Sequence, residues 1–128
     1  MSMHVFNPDD FRAVVAHLAA EDGEAFLRTA SSRAYYWVFL VARNLARIRD
    51  TSPDVHLLTQ RHYGDLGETQ IAKGLEYLRR RRNAADYLTE RHFSRTEADA
   101  VSRRSRQVRD ALKVVAGRKA YKEIANTC

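Results

Sequence analysis

Residues 24–49 read EAFLRTASSRAYYWVFLVARNLARIR, without a proline or a glycine. At about 100° per residue, Phe26, Leu27, Ala30, Ala34, Trp37, Val38, Val41, Leu45 and Ile48 share one face. Tyr35, Phe39, Ala42 and Ala46 widen it. An apolar arc of about 220° is too wide for a helix that covers one side of a core. The stretch predicts a central helix over 24–49 that touches several neighbours. The narrow remainder holds Thr29, Ser32, Arg33, Tyr36, Arg43 and Arg47. This polar seam either faces a cleft or a second subunit, or simply meets water.

The flanking sequence is helical as well. Five glycines and two prolines interrupt 128 residues, and no run of β-branched residues alternates with polar ones. Asn7 suits an N-cap, Pro8 the first helical position, and Asp9 and Asp10 the positive end of a helix dipole. Phe11, Val14, Val15 and Leu18 then form one apolar stripe. Residues 50–67 read as a loop, with a short helical turn through VHLLTQRH at most. A further helix starts near Glu68 and ends or kinks between Tyr87 and His92. Ser94 and Glu97 form a capping box for the next. That helix is expected to stop near Ala116, at Gly117, with a short basic helix over 118–125. The whole predicts one domain over 1–128. Its class is all-α, an antiparallel up-and-down bundle of four to five helices.

Composition narrows the partners. The formal charge is +6 and the pI near 9.8. Eighteen of the 22 basic residues are Arg, whose planar fork suits phosphate. GC-rich coding would give the same bias. The longest apolar run, AYYWVFLVA, is nine residues, about half a membrane span. MSMHVFNPDD lacks the basic-then-apolar order of a signal peptide. A cytoplasmic chain with no membrane contact is expected. The single Cys, Cys128, leaves no intrachain disulfide and no cysteine zinc site. No glycine-rich phosphate loop, Walker pattern or Glu-x-x-His pair is present. The histidines lack metal spacing, so neither metal nor cofactor is expected.

The second informative stretch is YLRRRRNAADYL, residues 77–88. Ile71, Leu75 and Leu78 set the core stripe of that helix, with Gly74 and Ala85 beside it. Arg82 falls on the stripe. Arg79 lies at its margin, and Arg80 and Arg81 face away. An inward guanidinium must be paired, because an unpaired buried charge is costly. Asp86, four residues on, is the natural partner, and Asn83 lies on the flank. The bland reading is an Arg82–Asp86 pair that ties the helix end. In the helix after SRTE, Ala100, Val101, Val108, Ala111, Leu112 and Val115 face the core. Arg104 intrudes on that stripe. Arg95, Arg103, Arg106, Arg109 and Lys113 form a basic face, either solvated or in contact with phosphate.

SSRAYYWVFLVARNL (31–45) followed by LRRRRNAADYL (78–88) resembles the HEPN superfamily, most closely its small bacterial and archaeal members. The matching residues are Ser32, Arg33, Ala34, Tyr35 and Tyr36, then Arg82, Ala85, Asp86 and Tyr87. The resemblance implies a helical bundle that homodimerises, with the motif helices meeting across a cleft. Many members are metal-independent endoribonucleases of toxin–antitoxin, phage-defence or CRISPR systems. Many are encoded beside a minimal nucleotidyltransferase. Their catalytic signature is an Arg, often followed by Asn, then a His a few residues on. Here Arg82 and Asn83 match its start, but Tyr87 stands where His would. Aligning Arg80 instead puts Ala85 there. His suits activation of a ribose 2′-hydroxyl near neutral pH; Tyr, with a pKa near 10, does not. His92, or His62 from the preceding loop, could supply a base, although nothing in the sequence places either there.

The resemblance therefore implies a defence or toxin–antitoxin-type protein that binds RNA or nucleotide phosphate. Arg82 would carry the binding, with Arg33, Tyr36, Arg79, Asn83 and Asp86 around it. Arg82 and Tyr87 would be the catalytic residues of a weak or absent ribonuclease. The alternatives are an active endoribonuclease toxin with a non-standard base, and a non-enzymatic partner subunit of a minimal nucleotidyltransferase. An antitoxin is a further possible partner.

Overall fold

Ala34, Val38 and Ala42 lie four residues apart on the long central helix and are completely buried. That helix is α2, Glu24–Leu45. Before it come a 3-10 turn, Pro8–Asp10, and α1, Phe11–Ala20. After it come α3, Val55–Asp65, α4, Thr69–Tyr87, and α5, Arg95–Thr127. The structure, a computed structural model, describes the backbone of residues 5–127 and the side chains of 5–119. His4 and Cys128 lie outside the described residues. The described chain is all-α.

Side-chain contacts give the helix directions. Arg28 meets Ala85, Ser32 meets Asp86 and Tyr36 meets Arg82, so α2 and α4 are antiparallel. Arg81 lies opposite Glu97, and Gly74 opposite Val108, so α4 and α5 are antiparallel too. Asp9 meets Trp37 and Arg109, while Ala19 meets Arg95, which sets α1 against both α2 and α5. Helices α1, α2, α4 and α5 are thus an up-and-down bundle. α3 lies in the connection, parallel to α2: Tyr35 meets His56, and Tyr63 meets Ala42. Tyr35, Trp37, Val38 and Phe39 pack with Ile71, Leu75, Leu78, Val101, Val108 and Leu112 in the core. A smaller cluster, Leu27, Ala85, Phe93 and Ala98, closes one end.

The predicted caps form. Asn7 Oδ1 accepts from the Asp9 N–H at 3.0 Å. Ser94 Oγ accepts from the Glu97 N–H at 3.1 Å. Glu97 itself turns to Arg91, so the capping box is half made. Asp9 does more than favour a dipole. Its carboxylate accepts from Trp37 Nε1 at 2.9 Å and from Arg109 Nε and Nη2, both at 2.7 Å. The Arg109 hydrogen bond holds its pKa below the ordinary carboxylate value.

Four boundaries or faces differ from expectation. α2 ends at Leu45, not Arg49, because Arg47 takes a left-handed conformation, φ 58°. Ile48 N–H then bonds Arg43 O and Arg47 N–H bonds Asn44 O, the Schellman closure. The expected loop over 50–67 contains a full helix, α3. Its inward residues, Val55, Thr59 and Tyr63, sit four apart. Two of them are polar, and each satisfies its hydroxyl: Thr59 donates to Val55 O, and Tyr63 to Ala42 O. Gly117 does not stop α5, which continues to Thr127. Arg118 and Lys119 hold that turn by bonding Glu68 and Leu45 O. On α1, only Val15 of the expected stripe is fully buried.

Candidate functional site

The polar seam of α2 meets the arginine row of α4. Arg82 is half-buried, as its phase predicts, but Asp86 is not its partner. Arg82 Nη1 donates to the Tyr36 hydroxyl at 3.1 Å. Its guanidinium lies over the Tyr35 ring at 5.4 Å and the Tyr36 ring at 5.1 Å. Arg33 lies over Tyr36 as well, at 5.1 Å. Asp86 instead accepts from Ser32 Oγ at 3.1 Å. The expected Arg82–Asp86 tie is thus replaced by two cross-helix contacts. The antiparallel register of α2 and α4 makes this possible, since it sets Tyr36 opposite Arg82 and Ser32 opposite Asp86.

Arg79 and Arg82 are one helical turn apart. Each has a buried Nε with no hydrogen-bond partner. Among the described residues, no carboxylate is within ion-pair distance of either. Aromatic faces replace a counter-charge beside Arg82.

The third wall comes from α3. His56, in its first turn, stacks on Phe39 at 4.3 Å and on Tyr35 at 5.6 Å. Its Nδ1 and the Tyr35 hydroxyl are 2.5 Å apart. Burial, with the charges of Arg79 and Arg82 behind it, pushes the His56 pKa down to about 4. Burial also pushes the Tyr35 hydroxyl well above its ordinary value, against the opposing pull of the same two arginines. His56 is therefore a neutral imidazole beside two fixed cations at physiological pH.

The other expected residues lie elsewhere or stand open. Asn83 is exposed. Tyr87 is 71 % exposed and lines a shallow hollow with Leu88, Thr89, Glu90 and Arg91. It makes none of the ring or hydrogen-bond contacts that join Arg82, Tyr35, Tyr36 and His56. His92 contacts Glu24. His62 lines a separate cleft of about 370 Å³ with Leu45, Tyr63, Leu66 and Val115. Neither histidine is joined to the arginines.

Two members of the basic face of α5 are structural ties. Arg95 bonds Ala19 O and Glu21 O, and Arg109 bonds Asp9. Arg104, on the apolar stripe, covers Tyr77 at 5.3 Å. Among the described residues, no three His, Cys, Asp or Glu side chains gather as metal ligands. No described helix is long and apolar enough to cross a membrane.

In comparisons with family models, curated proteins and solved structures, nothing matches this chain. The likeness to HEPN proteins rests on the residues themselves.

Proposed function

We propose that this chain is a HEPN-type domain of a bacterial defence or toxin–antitoxin module. It binds RNA or nucleotide phosphate at Arg82 and has little or no ribonuclease activity. The observation that carries this reading is the pair Arg79 and Arg82, half-buried without a carboxylate, each with an orphaned Nε. Folded proteins usually pair such charges. Two adjacent cations left unpaired favour an anionic ligand, and guanidinium groups suit phosphate oxygens. Arg33 and Tyr36 border the same surface.

Weak cleavage follows from the lack of a suitable base. Tyr87, in the motif position of the catalytic His, is exposed and not joined to Arg82. His56 is close, but a base whose pKa is near 4 has little drive to take a hydroxyl proton at pH 7.

Binding to single-stranded RNA, followed by fluorescence anisotropy, tests the reading. Arg82→Ala should weaken it by about tenfold to a hundredfold, the worth of a charge-assisted contact. Equal affinity in the variant would remove the reading. Efficient metal-independent cutting, abolished by the same substitution, would replace it with the active endoribonuclease. A co-purifying nucleotidyltransferase with no RNA affinity would favour the partner-subunit role.

A further inference from the structure

We infer that His56 is a third ligand-binding residue of this site, a neutral hydrogen-bond donor through Nε2–H, with Tyr35 as its positioning residue. The inference deepens the phosphate-binding reading and rests on it.

The argument begins with the proton between Tyr35 and His56. Tyr35 is 1 % exposed, and His56 Nδ1 is the only hydrogen-bond partner of its hydroxyl among the described residues. If Nδ1 carried the proton and donated, the Tyr35 O–H would be buried with no acceptor. That arrangement costs the full desolvation of a donor. If the Tyr35 O–H donates, both groups are satisfied. His56 then accepts at Nδ1 and carries its single proton on Nε2.

Three surroundings keep the ring in that form. The charged and titratable groups facing it are Arg79 and Arg82 from α4 and Tyr35 and Tyr36 from α2. Both arginines oppose a second positive charge. Tyr35 keeps its own proton, because burial disfavours the phenolate. The ring also sits in the first turn of α3, where the helix dipole disfavours a cation.

Phe39 and Tyr35 fix the ring plane by stacking. Nε2 has no partner among the described residues and is not one of the buried orphaned atoms, so it reaches solvent. A ligand oxygen held by Arg79 and Arg82 would meet a donor there, not a base. The site thus has donors on two helices and no proton acceptor of useful basicity. This accounts for binding without cleavage more directly than the missing motif His does.

Nitrogen-15 NMR of the free protein reads the tautomer, and anisotropy reads the ligand role. The probe is an oligouridylate with hydroxyl ends, whose charge does not titrate between pH 5.5 and 8. The expected spectrum has Nδ1 unprotonated and Nε2 protonated across that range. His56→Ala should bind about tenfold more weakly. His56→Gln places an amide N–H near Nε2 and should restore most of the affinity. Tyr35→Phe should mix the two tautomers and weaken binding severalfold. A proton on Nδ1, an imidazolium at pH 7, or wild-type affinity in His56→Ala would overturn the inference. If Arg82→Ala also binds like wild type, the phosphate reading falls with it. If only His56→Ala does, the reading stands and the inference alone fails.

Discussion

At the scale of single residues, Arg79 is the least explained by folding. It has a buried Nε without a partner and a second guanidinium one turn away. A function that needs the charge would keep it at a cost in stability. Arg79→Met fills a similar volume without the charge. It should raise stability by about 1 kcal/mol in urea unfolding and lower RNA affinity; a destabilised variant would show that the arginine is structural. His56 adds a pH dependence. Its folded pKa of about 4 lies below the unfolded 6.5, so the unfolded chain takes up the proton first. The contribution is complete above pH 6.5 and is lost as pH falls toward 4. Wild type should lose stability across that window, and His56→Gln should lose less; equal curves would deny the desolvated ring. Arg82 was legible because phase alone distinguishes it within RRRR. Its partner was not. Phase shows that a side chain points inward but not which helix it meets there, and Tyr36 lies 46 residues away.

At the scale of elements, α4 and α5 touch where Gly74 faces Val108. A Cβ at Gly74 would lie 2.3 Å from Val108 Cγ2. Gly74→Ala should therefore destabilise by about 1–3 kcal/mol, despite the better helix propensity of alanine. Adding Val108→Ala should give a double variant less unstable than the sum of the two singles, since the second change makes the missing room. Additivity in thermal unfolding would place the strain elsewhere. α2 was readable from its apolar arc, apart from its last turn. No glycine or proline marks that end, and the left-handed residue there is an arginine. α3 was readable only as a short turn through VHLLTQRH, because its inward residues Thr59 and Tyr63 carry hydroxyls and are buried with those hydroxyls bonded to backbone carbonyls. With α3 reduced to a turn, nothing singled out His56. The spacing of Val55, Thr59 and Tyr63 was the available signal.

At the scale of the whole molecule, one carboxylate ties three segments. Asp9 joins the 3-10 turn before α1 to Trp37 of α2 and Arg109 of α5. Asp9→Ala strands a buried indole N–H and a half-buried guanidinium, and should cost about 2 kcal/mol by calorimetry. A change within error would mean that water replaces the carboxylate. The Asp9 pKa is depressed below 3.8. Its contribution is therefore present above that pH and lost as pH falls below it, a second acid step under that of His56. The bundle and its charge were legible from periodicity and composition. The assignment of the cations was not. Two of the five cations that read as a basic face, Arg95 and Arg109, are structural ties. The pair without a carboxylate, Arg79 and Arg82 on α4, meets the polar seam of α2, which reads either as the wall of a cleft or as solvated surface. The central claim is that this pair binds phosphate. Its most direct test is the salt dependence of single-stranded RNA affinity for wild type and Arg82→Ala. The account predicts a steep log–log fall for wild type, shallower by about 0.7 in the variant. Identical slopes would contradict it.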